Sequence, residues 1–206
     1  MPSGYSKFFY NQQSLRFFKE LEKDLNEKEI TITCSRNDND IHIWDFDGEK
    51  YEISREELYW RIYEKRCPLV ECWKNNRVIV SLKIIEELSG GRPYLQITLD
   101  GLCEGDENKF FDILKRKLGS LENGGGFVFD RWGIVEDIDF SRLFEEKSQG
   151  IIEFWNKENN HFGRVCEEVN FMKINRIGST EFRDYAYIVM KKGEENLMYM
   201  FQMKNC

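Results

Sequence analysis

The sequence predicts an α+β fold, in which a mixed or mainly antiparallel sheet carries helices packed on it. One observation behind this prediction is the order of elements. A meander, a helix, strands, a helix and more strands follow one another, without the regular alternation of a doubly wound fold. A second observation is size, since 206 residues, 41% of them hydrophobic, are enough for one sizeable core. With no repeat and only three prolines, we expect a single domain over residues 1–206.

Amphipathic periodicity predicts a first helix over residues 12–27, with apolar side chains on one face and lysines and glutamates between them. Residues 30–53 then alternate apolar and polar side chains in three short runs separated by turn-forming residues, which predicts a three-stranded meander. Ser54 and Glu57 fit a capping box, so a second helix should follow Ser54 and end before Pro68. The strands of the meander are expected at 30–34, 41–46 and 50–53.

A third helix is expected to begin with Asp106 as its cap and to stop at Gly119. The glycines at 124–126 follow this helix and enter a strand, so they should form a turn rather than a phosphate loop, which would open a helix. Residues 83–88 fit a helix as well as the end of a strand. The remaining predicted elements are strands at 77–84, 94–99 and 127–130, a short helix at 141–147 and a hairpin of 185–190 with 197–203.

The charge balance is acidic, with a formal net charge of −7 and a pI near 5.1. The acidity is evenly spread, because residues 1–103 carry a net charge of −3 and residues 104–206 carry −4. A surface of this kind is poorly suited to neutralising phosphates, and no basic segment stands apart from it. We therefore do not expect direct binding to nucleic acid.

The chain shows no targeting or membrane segment. Its first residues lack the apolar region of a secretory signal, and its longest apolar run, 185–190, is too short to cross a bilayer. The six cysteines are dispersed without a CxxC pair, which favours a reducing compartment over a disulfide framework. A cytoplasmic protein without membrane contact is predicted.

The cysteines are expected to pack rather than to bind zinc. Structural zinc usually takes its ligands in close pairs, and only Cys67 and Cys72 approach that spacing. The two histidines, His42 and His161, are far apart in sequence. His42 in particular lies between two isoleucines, which is typical of a strand residue rather than of a ligand or a base. No cofactor is expected from these residues.

The predicted strand at 41–46 is apolar on both faces. Ile41 and Ile43 point to one side, and His42, Trp44 and Phe46 to the other. Either the strand is internal to the sheet, which the pattern favours, or its second face meets a partner. Large aromatic side chains often anchor interfaces. The candidate partner-binding residues are His42, Trp44, Phe46 and Trp132.

An alternative site lies in an acidic run after the predicted strand at 127–130. Carboxylates placed there would suit Mg²⁺ or Mn²⁺ and metal-dependent chemistry at a phosphate. Acidic side chains are common along this chain, so a solvated loop is the favoured interpretation. The candidate metal ligands are Asp130, Glu136, Asp137 and Asp139, with Arg131 or Arg164 to hold phosphate.

These observations favour a non-catalytic acidic domain that binds and inhibits another protein, as immunity proteins and inhibitors of nucleic-acid-processing or defence enzymes do. A negative surface speeds association with a basic partner. Two alternatives stay open. One is a metal-dependent phosphodiester-cleaving or phosphoryl-transfer enzyme that uses the acidic run. The other is a sensor of a small ligand such as a nucleotide, with a pocket lined by Trp44 or Trp132.

Overall fold

A computed structural model of the chain describes residues 5–34, 40–45, 47–66, 68–86, 93–98, 104–120, 125–130, 166–174, 185–192 and 195–203. Three helices lie within these ranges, α1 (Ser14–Asn26), α2 (Arg55–Tyr63) and α3 (Glu104–Ser120). The strands are β1 (Tyr5–Phe9), β2 (Ile41–Trp44), β3 (Lys50–Ile53), β4 (Leu69–Lys74), β5 (Arg77–Ile85), β6 (Tyr94–Thr98), β7 (Gly125–Asp130), β8 (Cys166–Ile174), β9 (Tyr185–Lys192) and β10 (Glu195–Met203).

The strands form one sheet in the order β3-β2-β4-β5-β6-β1-β7-β9-β10-β8. Every pair of neighbouring strands in it is antiparallel. The α+β prediction, with a mainly antiparallel sheet and helices, is therefore confirmed. In the part of the chain that the structure describes, no helix has both the length and the apolar character needed to cross a bilayer.

The core lies where the apolar faces of the helices meet alternate residues of the sheet. On β2, Ile41 and Ile43 are fully buried, while His42 and Trp44, which alternate with them, are half-buried. An aromatic group joins β1 to α1, because the ring of Phe17 stacks on Tyr10 at 4.0 Å and on Phe8 at 5.5 Å between centroids. Burial of these apolar surfaces is the main favourable term in folding.

Local sequence signals located several elements correctly. Both predicted N-terminal helices are present, and the Ser54 side chain accepts a hydrogen bond from the Glu57 backbone N–H at 3.2 Å, as the capping prediction required. The hairpin of β9 and β10 is also confirmed. The predicted short helix at 141–147 lies outside the described residues.

The prediction of a first meander strand at residues 30–34 is wrong. Residues 30–34 form only two isolated bridges, Thr31 with Trp73 and Thr33 with Ile41. The place expected for a separate strand is shared with β4. β2 pairs directly with β4 only near the C-terminal end of β2, through Ile43 and Trp44. Towards the other end of the two strands, residues 30–34 bridge to both, so this segment lies between β2 and β4.

Three details of the third helix and its surroundings also differ from prediction. Asp106 does not cap the helix but lies within α3, where it accepts a hydrogen bond from Lys74 Nζ at 2.5 Å. Gly119 does not stop α3, which continues to Ser120. Gly125 and Gly126 belong to β7 rather than to a turn, because their backbones pair with β9. Gly124 lies outside the described residues.

Candidate functional site

A group of polar side chains lies on the face of β2, β3 and β4 opposite the buried isoleucines. His42 on β2 stands directly across from Glu52 on β3, so the two side chains share a face. The pairing of β2 with β4 places Glu71 on the same face, and Cys34 reaches it from residues 30–34. We call Cys34, His42, Glu52 and Glu71 the hairpin cluster.

The turn between β2 and β3 sets this register. Oδ1 of Asp45 accepts hydrogen bonds from the backbone N–H groups of Asp47 and Glu49, each at 2.9 Å. Oδ2 accepts from the Tyr51 hydroxyl at 2.6 Å, and these hydrogen bonds hold the pKa of Asp45 below its usual value. Gly48 has a φ of 79°, a left-handed conformation that favours glycine.

The imidazole of His42 has a carboxylate on each side. Nε2 lies 2.9 Å from Glu52 Oε1 and 3.0 Å from Cys34 Sγ. Nδ1 lies 3.5 Å from Glu71 Oε2, which is within ion-pair range but makes no hydrogen bond, and it has no hydrogen-bond partner among the described residues. A neutral imidazole has a single N–H and can donate to only one of these carboxylates. A neutral ring therefore leaves one of the two carboxylates without an N–H donor from His42.

Glu71 is oriented by its own donors. Its carboxylate accepts from Trp44 Nε1 and from Lys50 Nζ, both at 2.8 Å, and its side chain is only 7% exposed. The Lys50 ammonium also lies over the rings of Trp44 and Trp73, at 5.7 and 5.5 Å. Both indoles therefore help to position the buried acid of the hairpin cluster.

The thiol of Cys34 is held in its neutral form. Burial raises its pKa, and the carboxylates of Asp40 and Glu52 add to the increase because a nearby negative charge disfavours the thiolate. A cation that replaced the thiol proton would reverse this balance, since a metal ion stabilises the thiolate directly.

Among the described residues, Cys34, His42 and Glu52 bring one thiol, one imidazole and one carboxylate within 4.8 Å of one another. This group was not predicted from the sequence, because its members come from three separate segments. One signal was present. The Asp47–Gly48 turn lies midway between His42 and Glu52, and a hairpin centred there pairs the two.

A second surface is formed by α2. Trp60 and Tyr63 are 51% and 62% exposed, and they are the exposed large hydrophobic side chains of the described residues. Their spacing of three places them on one face of the helix. Arg66 lies over the Trp60 ring at 5.8 Å. Tyr63 also lines a cavity that is open to solvent.

This cavity has a volume of about 560 Å³ and lies between the start of α1 and the end of α2. The carboxylate of Glu86 lines it, where it accepts a hydrogen bond from the Ser14 hydroxyl and pairs with Lys65 Nζ at 3.0 Å. Trp44, which the alternative of a small-ligand sensor placed in a pocket wall, does not line this cavity. The lining residues are Gln12, Gln13, Ser14, Leu15, Ile62, Tyr63, Glu64, Lys65, Glu86 and Pro93.

Of the predicted partner-binding residues, the structure brings His42 and Trp44 together on the half-buried face of β2. Phe46 and Trp132 lie outside the described residues. Asp130, from the predicted metal site, ends β7 opposite Tyr5 of β1. The other members of that site also fall outside the described part of the chain, namely Arg131, Glu136, Asp137, Asp139 and Arg164.

Comparison of the chain with protein-family models, curated proteins and solved structures finds no match.

Proposed function

We propose that this chain is a non-catalytic domain that binds and blocks a basic protein, and that α2 supplies the contact surface. We call Trp60 and Tyr63, with the flanking Glu56 and Glu64, the α2 aromatic surface. The exposure of the two aromatic rings, 51% and 62%, is the observation that carries the proposal.

Exposed aromatic side chains of this size are a source of binding energy. A buried Trp or Tyr removes roughly 150–250 Å² from water, so covering the exposed half of each ring would contribute about 2–3 kcal/mol at 25 cal/mol per Å². Trp and Tyr are also enriched among the residues that dominate protein interfaces. Two such rings on one helix face are therefore suited to anchoring a partner.

The charges around the rings favour a basic partner. Glu56 and Glu64 are exposed beside them, and the chain as a whole carries −7. The guanidinium of Arg66 already lies over Trp60, which illustrates the chemistry that an arginine of a partner would repeat. Arginine side chains would stack on the rings while the glutamates pair with their charges.

The cavity next to Tyr63 offers a place for a longer basic side chain. Glu86 lines it, and the Lys65 ammonium that pairs with Glu86 belongs to a side chain that is 65% exposed. Because an exposed lysine exchanges partners at little cost, an incoming lysine or arginine could take its place on Glu86. The proposed interface thus combines two aromatic anchors with an acidic recess.

Site-specific crosslinking tests this function. A photoreactive amino acid placed at Tyr63 should capture one protein with a basic surface in the native cell, whereas the same group at exposed Lys23 on α1 should not.

In the purified pair, Trp60→Ala and Tyr63→Ala should each raise Kd by about 30-fold, which corresponds to about 2 kcal/mol. Glu56→Gln and Glu64→Gln should weaken binding and reduce its salt dependence.

Glu27→Gln is the matched control for charge, because Glu27 is exposed and pairs with Arg116 of α3, away from α2. Its Kd should equal that of the unmodified chain. Capture of the same proteins from both crosslinking positions would contradict the proposal. So would a partner whose affinity is unchanged in both aromatic variants.

A further inference from the structure

We propose that Cys34, His42 and Glu52 bind one divalent transition-metal ion, for which zinc is the best match, and that Glu71 orients the histidine from behind. The inference goes beyond partner binding by α2 and does not depend on it. It starts from the position of His42 Nε2, which lies between a thiol sulfur at 3.0 Å and a carboxylate oxygen at 2.9 Å.

The donor set selects the kind of ion. Thiolate and imidazole ligands favour zinc and its neighbours in the first transition row, whereas Mg²⁺ and Ca²⁺ favour sites made of oxygen alone. Zinc accepts sulfur, nitrogen and carboxylate oxygen in tetrahedral sites, and three protein ligands leave a fourth position for water. Cys34, His42 and Glu52 supply one ligand of each type.

The distances between the ligand atoms are slightly shorter than a tetrahedral zinc site requires, so the three side chains must move apart a little. Zinc–ligand bonds of about 2.0–2.3 Å at tetrahedral angles would place sulfur and nitrogen about 3.5 Å apart, and nitrogen and oxygen about 3.4 Å apart. The present separations are 3.0 and 2.9 Å. An opening of about half an ångström is within reach, because the Glu52 side chain is 63% exposed and free to turn.

The second nitrogen of the ring provides an independent observation. Nδ1 of His42 is buried and without a hydrogen bond, yet it faces Glu71 Oε2 at 3.5 Å. Histidines that bind metal through one nitrogen typically direct the other N–H at a carboxylate. With the ion on Nε2, the ring proton must be on Nδ1, where Glu71 can accept it.

Glu71 is prepared for this role by its surroundings. Trp44 and Lys50 each donate to it at 2.8 Å, so the carboxylate is held in place before any ion binds. The edge of the His42 ring meets the Trp73 ring at a centroid distance of 5.3 Å, which restrains the ring as well. The His42 ring is thus held by an aromatic contact, and the Glu71 carboxylate that orients it is held by two hydrogen bonds.

The ion would join residues 30–34 to the hairpin of β2 and β3. Without it, this segment meets β2 through one backbone bridge, between Thr33 and Ile41, and through the contact of Cys34 Sγ with His42 Nε2. A metal ion bound to the folded chain stabilises that state by mass action. Zinc should therefore raise the melting temperature of the protein in a concentration-dependent manner.

Cobalt spectroscopy with calorimetry tests the inference on the full chain. Zn²⁺ should bind with one site per chain, and Co²⁺ should give the ultraviolet thiolate-to-metal band and the visible bands of tetrahedral cobalt. Cys34→Ser should remove the thiolate band and weaken zinc binding at least 100-fold. Glu52→Gln, at an exposed position where folding is not at risk, should weaken it at least 10-fold. Glu71→Gln should weaken binding by about 10–100-fold while retaining the thiolate band.

Cys72→Ala and Glu49→Gln are the matched controls for the thiol and the carboxylate, because Cys72 lies in the buried core and Glu49 is exposed in the turn between β2 and β3. Neither should change zinc affinity. Zinc binding that survives Cys34→Ser, or the absence of a thiolate band in the Co²⁺ spectrum, would overturn the inference. Partner capture at Tyr63 would be unaffected by that result, so the two proposals fail separately.

Discussion

Glu22 on α1 accepts hydrogen bonds from two residues of α2, and replacing it should reveal how strongly the two helices depend on each other. Its buried carboxylate accepts from Arg55 Nε at 3.0 Å and from the Tyr59 hydroxyl at 2.5 Å. Burial, together with the hydrogen bond to Glu22, raises the pKa of Tyr59 far above its usual value, so the hydroxyl keeps its proton and remains a donor. We expect Glu22→Ala to destabilise the fold substantially.

The expected magnitude is about 3 kcal/mol. Leaving the half-buried Tyr59 hydroxyl without an acceptor costs about 2 kcal/mol. Loss of the ion pair adds only about 1 kcal/mol, because the Arg55 side chain is 30% exposed and its charge is screened by solvent. For a chain of this length, such a change lowers the melting temperature by roughly 6–12 °C.

Urea unfolding followed by tryptophan fluorescence measures this effect. Glu20→Ala is the matched control on the same helix, since the ion pair of Glu20 with Arg16 lies on the surface and its other partner, Lys117, keeps Asp24 at 3.0 Å. It should cost less than about 1 kcal/mol. A double-mutant cycle of Glu22→Ala with Tyr59→Phe should show a coupling of about 1 kcal/mol. Equal effects of the two alanine variants, or a coupling near zero, would refute the reasoning.

Three further predictions concern single side chains. The pKa of Asp45 is lowered from 3.8 in the folded chain. The ionised side chain therefore stabilises the fold above pH 3.8, and this contribution is lost as the pH falls through the lower folded pKa. Acid unfolding of Asp45→Asn should lack this pH dependence. Ser54→Ala should cost about 1 kcal/mol in urea unfolding because the Glu57 N–H loses its cap, and an unchanged midpoint would contradict this. Burial raises the pKa of Cys72, so peptide mapping after alkylation at mildly alkaline pH should find this thiol unmodified until the chain unfolds; its modification in the folded protein would contradict this.

Elements with strong local signals could be predicted from the sequence. The α2 start was visible in Ser54 and Glu57, whose types and spacing are those of a capping box. The hairpin of β2 and β3 was visible in its alternation around the Asp47–Gly48 turn. Both signals act within a few residues, so distant parts of the chain do not change them.

Strands that are buried on both faces were missed for a physical reason. In β1, Lys7, Phe8 and Phe9 are all buried, so the strand lacks the alternation that marks a half-buried one. In β4, Glu71 and Cys72 are adjacent and both buried. A buried glutamate depends on donors from other strands, and those donors cannot be inferred from the sequence around it.

The hairpin cluster, too, could be predicted only in part from the sequence. The pairing of His42 with Glu52 follows from the turn between their strands, and could be inferred locally. Glu71 reaches His42 because β4 pairs with β2, and Cys34 reaches it because residues 30–34 bridge to β2. That arrangement is a property of the assembled sheet, and so the expectation of packing cysteines overlooked the group.

Oxidative footprinting of the chain, free and bound to its captured partner, tests partner binding at α2 most directly. Hydroxyl radicals modify accessible aromatic rings, and Trp60 and Tyr63 are the exposed ones among the described residues. We predict that modification of both falls in the complex, while that of half-buried Trp44 is unchanged. Equal modification of Trp60 and Tyr63 in the free and bound chain would contradict the proposed interface.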